Sequence, residues 1–229
     1  MPLDRPITPG CVDWTGENPG ILLKEREEGP FTAMALFFRI AWSPAGQGHI
    51  LLLYEHPDRP ESLPRSCNVI ISDNEPLARF LKDSFIAKLA AFRDAPAFAA
   101  LKHVPARGIR TSGDPMSHRY CESVSADSIA VELVWEDLES PLALELCPEM
   151  TGTREHTMFT VLVPARRANI MLNGRPLPGK PARRVQAGIE TTTAFLYFSE
   201  TWVLPPNEGS GDAQSNLGEA DEVGVHRAR

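Results

Sequence analysis

Alternation of apolar and polar residues at period two dominates this chain and marks most of it as β-strand. The clearest run is Phe31–Trp42 (FTAMALFFRIAW), where Met34, Leu36, Phe38, Ile40 and Trp42 share one face. Ala33, Ala35, Phe37, Arg39 and Ala41 share the other, a face of small side chains with a guanidinium set among them. Ile21–Glu25 reads as a short strand before it. After a turn at Pro44–Gly48, His49–His56 reads as its hairpin partner, and Cys67–Ile71 as a brief buried strand. Further strands are predicted around His118–Ser123, over Ile129–Glu136, Leu142–Cys147 and Thr157–Val163, and at Asn169–Leu172. Asn173–Gly174 then gives the strongest hairpin signal, because both residues tolerate positive φ. Thr191–Leu204 alternates to the end of the patterned region.

One stretch has helical period. Leu77, Leu81, Phe85 and Leu89 recur every four residues, with Phe80, Ile86 and Phe92 widening the stripe. Ser72 followed by Glu75 has the form of a capping box, Pro76 suits the first turn, and Pro96 predicts an end near Asp94. Such a stripe packs against a sheet. The pattern as a whole predicts an α+β protein, mostly β: a curved antiparallel sheet or half-open β-barrel with one long amphipathic helix packed against it. Residues 1–20, with four prolines, read as an extended arm anchored by Trp14, residues 21–204 as a single β-rich domain, and residues 205–229 as a disordered tail with few large apolar groups.

Composition narrows the function classes. Lys and Arg number 23 against 30 Asp and Glu, a net charge of −7, which disfavours nucleic acid as a partner. Basic residues cluster twice, at Arg166–Arg167 and at Lys180, Arg183 and Arg184. Such a cluster can hold one carboxylate or phosphate, though a charge run is more often a solvated face. Four widely spaced cysteines form neither a disulfide framework nor a zinc ribbon. No run of about 18 apolar residues spans a membrane, and MPLDRPITPG lacks the apolar core of a signal peptide, so a cytoplasmic location is expected. Phosphate-cradling glycine loops and a G-x-S-x-G elbow are missing, so no cofactor is expected and nucleophilic catalysis has little support.

The candidate chemistry lies where polar groups sit in the middle of strands. His118, Tyr120 and Glu122 fall on one face at period two and are the expected acid–base set. Arg39, Glu132, Glu145 and Tyr197 are the expected substrate-binding groups, with Arg39 a clamp for a carboxylate and a charge that needs a partner. As metal sets, His118, Cys121, Cys147 and His156 suit zinc in type, but the His-x-x-Cys spacing throws His118 and Cys121 to opposite strand faces, and His118, Glu122 and His156 are better placed; no metal site is assigned. The functional expectation is a small-molecule-binding β-barrel-like protein. Its ligand would be a small, partly apolar organic acid, handled without a cofactor by lyase, hydratase or isomerase chemistry. The alternative is a non-catalytic ligand-binding module, or a homodimerising one using the Phe31–Trp42 strand.

Overall fold

The computed structural model describes residues 8–57, 66–89, 92, 96–99, 101–186 and 188–206. Its strands are β1 (Cys11–Glu17), β2 (Gly20–Lys24), β3 (Phe31–Trp42), β4 (Gly48–Glu55), β5 (Val69–Ser72), β6 (Lys102–Pro105), β7 (Gly108–Gly113) and β8 (Arg119–Ser125). There follow β9 (Ala130–Leu138), β10 (Leu142–Leu146), β11 (Thr157–Leu172), β12 (Arg175–Pro176), β13 (Lys180–Pro181), β14 (Arg183–Gln186), β15 (Ile189–Thr192) and β16 (Ala194–Leu204). Fourteen of them form one curved, mixed sheet in the order β6-β5-β4-β3-β1-β16-β11-β9-β8-β7, with β2, β10, β12 and β13 attached at its sides. The β5–β6 pair is parallel, so the sheet is not wholly antiparallel as expected.

Two features bend the sheet upon itself. Strand β11 is 16 residues long, where the pattern suggested two separate runs. Its first half, through Pro164, pairs with β16, and its second half, from Ala165, pairs with β9. At the far side, Ala106 donates its N–H to Ser72 O and Arg107 donates to Ser125 O. The chain thus steps from the β5 side of the fold to the β8 side within two residues. Strands that switch layers are how a sheet makes corners.

Two cores result. The inner core lies between the halves of the sheet: Ala33, Ala35 and Phe37 of β3 with Leu51 and Leu53 of β4, clustered with Tyr120, Val124, Val131, Leu133 and Trp135. Trp135 is wholly buried and donates its indole N–H to Gly20 O at 3.1 Å, tying one half to the other. The outer core joins the opposite face of β3 (Met34, Leu36, Phe38, Ile40) to Leu77, Leu81 and Phe85 of the helix. Every residue of β3 from Thr32 to Phe38 is therefore buried, and the strand is exposed only at its end, Ala41 and Trp42.

The N-terminal segment is the main departure from expectation. From Cys11 it is no arm but strand β1, placed between β3 and β16. Gly16 permits the close approach to β3, since a Cβ there would meet Arg39 O at 2.0 Å. Trp14 packs edge-on against Phe38 and Phe85 and stacks with Trp202. The helix also differs. Its cap is Asn74, whose side chain accepts from Leu77 N–H, while Ser72 belongs to β5. Helix α1 (Glu75–Phe80) runs on through a π turn (Leu81–Phe85) and a 3-10 turn (Ile86–Lys88), and Leu89 is already extended. The expected end near Asp94 lies outside the described residues, as does the tail from residue 207. The Asn173–Gly174 turn forms with φ of 50° and 75° and joins β11 to β12.

Candidate functional site

The seam between the sheet halves gathers three of the residues expected to carry chemistry. Arg39 (β3), Tyr120 and Glu122 (both β8) face the interior because each has the inward parity of its strand. Glu122 is fully buried, and both of its oxygens are committed. Oε1 accepts from Arg39 Nη2 at 2.8 Å and from the Tyr120 hydroxyl at 2.7 Å, and Oε2 accepts from Thr111 Oγ1 at 2.7 Å. The other arm of the Arg39 guanidinium pairs with Glu17, and the fork also donates to Thr111. Burial lowers the affinity of Arg39 for its proton, but Glu122, Glu17 and Tyr120 outweigh it and hold the proton more firmly than usual. Burial, then the Glu122 charge, pushes the Tyr120 phenol up. Sequence reasoning missed Glu17 and Thr111, which come from the supposed arm and from a strand of mostly exposed residues.

The remaining expected residues lie elsewhere. His118 precedes β8 in an exposed bend, so the period-two relation to Tyr120 and Glu122 fails one residue before it was needed. Glu132 is on the outer face of β9, where the Cys121 thiol donates to it at 3.2 Å. Glu145 is exposed on β10. Tyr197 is buried in the outer core, donating to Gln186 Oε1 at 2.7 Å and accepting from Arg184. His156 is fully buried, with Nδ1 on Thr153 Oγ1 at 2.9 Å and Nε2 on Asp13 Oδ2 at 3.2 Å. His118, Glu122 and His156 therefore share no site. Among the described residues, no group of three or more His, Cys, Asp or Glu is arranged to hold a metal ion.

A second buried carboxyl has a different setting. At Ser199 (φ 50°) the β11–β16 register shifts, which turns Glu200 inward beside Trp202. Trp202 Nε1 donates to Glu200 Oε1 at 2.7 Å, and Oε2 has no hydrogen-bond partner. Burial pushes its pKa up to about 8, against the lowering influence of Trp202 and Asn18.

Charge that is not answered within the fold collects in a surface trough of about 860 Å³. Its lining comes from five separate stretches: Lys24 to Glu27, Glu139, Arg166, Lys180 to Arg183, and Glu190 to Thr192. The two basic clusters seen in the sequence thus meet, through Arg166 on one side and Lys180 and Arg183 on the other, with Lys24 and Arg26 added. Lys24 and Lys180 are directly opposite one another on paired strands. Like charges in that position disfavour a sheet, and the Lys24 ammonium is itself engaged, donating to Glu27 O at 3.1 Å and lying 4.8 Å from the centre of the Phe31 ring. Arg166 Nε binds Glu139 Oε1 at 2.7 Å. Arg26, Lys180 and Arg183 have no ion-pair partner among the described residues, and neither have Glu25, Glu27 and Glu190. Thr191, 4% exposed, is among the lining residues, and its buried Oγ1 has no hydrogen-bond partner among the described residues. Arg166 and Glu139 also border a second depression of about 600 Å³, completed by His118, Asp137, Leu138, Ser140 and Leu142.

Among the described residues, no helix is long and apolar enough to cross a membrane. No protein-family model, curated protein or solved structure matches this chain.

Proposed function

We propose that this protein is a small-molecule-binding β protein that holds an organic anion, a carboxylate or a phosphate ester, in the trough between β2, β13 and the β14–β15 hairpin. One observation carries the reading: on a chain of net charge −7, Lys24, Arg26, Arg166, Lys180 and Arg183 converge on one concave surface against Glu25, Glu27, Glu139 and Glu190, an excess of one positive charge, and among the described residues Arg26, Lys180 and Arg183 have no ion-pair partner. An anion between Lys24 and Lys180 would relieve their mutual repulsion. The curved sheet, in the manner of a half-open barrel, serves as the rigid frame for this surface. Binding without turnover fits the arrangement better than acid–base catalysis. The buried carboxylate of Glu122 has both oxygens occupied, and the His118 imidazole stands outside the seam.

Thermal-shift measurement with citrate, inorganic phosphate and small phosphate esters tests this. The melting temperature is expected to rise with these anions and not with uncharged analogues, and the rise should shrink as salt is added, because a ligand that binds only the folded state stabilises it and exposed charges are screened. Equal shifts for charged and uncharged compounds would remove the basis for the proposal.

A further inference from the structure

The depression beside His118 and the trough have Arg166 and Glu139 in common, so the two adjoin at that ion pair. Its chemistry is unlike that of the trough. The two acids in it are already neutralised: Glu139 by Arg166 at 2.7 Å, and Asp137 by Arg167, whose Nε and Nη2 reach Oδ2 and Oδ1 at 2.7 and 3.2 Å. Asp137 takes φ 52° and donates its N–H to His118 O at 3.0 Å, which fixes the bend that carries the imidazole. What the depression offers a ligand is then an imidazole with no partner among the described residues, the Ser140 hydroxyl and the half-buried side chains of Leu138 and Leu142. Such a surface carries no net charge once its ion pairs are counted, and it suits an uncharged, partly apolar group.

Resting on the trough being an anion site, we infer that the His118 depression is its second half, and that the ligand is an elongated amphiphilic anion. Its phosphate or carboxylate head lies among Lys24, Lys180 and Arg183. An uncharged tail passes the Arg166–Glu139 pair and ends on His118, Leu138 and Leu142. His118 is thus a residue that sets tail specificity through ring packing and hydrogen bonding.

The test is isothermal titration of the full chain with inorganic phosphate, butyl phosphate and octyl phosphate, and in parallel with acetate, pentanoate and nonanoate, all below their micellar concentrations. Affinity is expected to rise with tail length, by tenfold or more from phosphate to octyl phosphate. The series with the larger rise identifies the head group. In His118→Ala, and separately in Leu142→Ser, the ratio of octyl phosphate to phosphate affinity should fall at least fivefold. In Lys180→Glu both affinities should fall together. A tail-length ratio equal to the wild-type value in both His118→Ala and Leu142→Ser overturns the inference and leaves the trough standing. Loss of neither phosphate nor acetate affinity in Lys180→Glu overturns the trough, and the inference with it.

Discussion

The seam and the trough are built from the same side-chain types and use them in opposite ways. In the seam, Arg39 answers Glu17 and Glu122, while Thr111 and Tyr120 fill the remaining hydrogen-bonding capacity of the buried carboxylate. In the trough, three cations and three carboxylates stand without ion-pair partners among the described residues, and two lysines oppose each other across a strand pair. A charge can be taken out of water only when its partners replace the lost solvation, so the seam became part of the fold. Charges left in water keep their capacity for an outside partner. Buried, completed charge holds the two sheet halves in register, and exposed, uncompleted charge is where recognition is to be sought.

Breaking the seam should have the largest effect. Arg39→Met leaves Glu122 buried beside neutral donors only, and is expected to cost about 3–5 kcal/mol in urea unfolding. Adding Glu122→Gln to that variant should recover a substantial part of the loss, since the uncompensated charge is then gone. An additive double variant would show that the two groups do not act as a unit.

Glu200 sharpens the comparison because it is a buried carboxyl with no cation. Its folded pKa of about 8 exceeds the usual 4.5, so its contribution to stability is full below pH 4.5 and is lost as pH rises through 8. The fall across that window is on the order of 5 kcal/mol at 1.36 kcal/mol per pKa unit. Glu200→Gln retains an acceptor for Trp202 Nε1 and should flatten the pH dependence, leaving the variant more stable than the parent at pH 8 and above. Parallel pH profiles for the two proteins would show that this carboxyl does not govern the slope.

In the trough the same kind of change should be nearly silent in stability. Lys180→Glu removes the like-charge pair with Lys24 and is expected to raise stability by about 0.2–1 kcal/mol while weakening anion binding. A loss of stability in this variant would mean that Lys180 is a structural residue. Ordered by size, the three substitutions separate charge that builds the fold from charge that the fold presents.

How much of this was legible in the sequence follows from the range over which each feature is determined. Alternation in Phe31–Trp42 assigned both faces of β3 correctly, since period two is a property of the strand alone: Met34, Leu36 and Phe38 are in the outer core, and Ala33, Ala35 and Phe37 in the inner one. The same rule turned Tyr120 and Glu122 inward and failed for His118, because pleating stops where the strand begins, at Arg119. The need of Arg39 for a partner was legible, but the identity of Glu17 was not. Residues 11–17 have little alternation, and they are a strand because β3 and β16 pair with them on either side. Asn74 supplanted Ser72 as the helix cap because β5 runs on through Ser72, whose hydroxyl is bonded to His103. The trough was hardest to foresee. Its lining spans Lys24 to Thr192 in five stretches, and only the sheet topology brings Arg166 to the same surface as Lys180.

The most direct measurement is the affinity of inorganic phosphate for the parent protein and for the Lys180→Glu, Arg183→Glu double variant, by isothermal titration at low salt with the melting temperature recorded alongside. The expected result is a loss of tenfold or more in affinity with the fold intact. Equal affinity in the two proteins would contradict the assignment of the trough as the binding site.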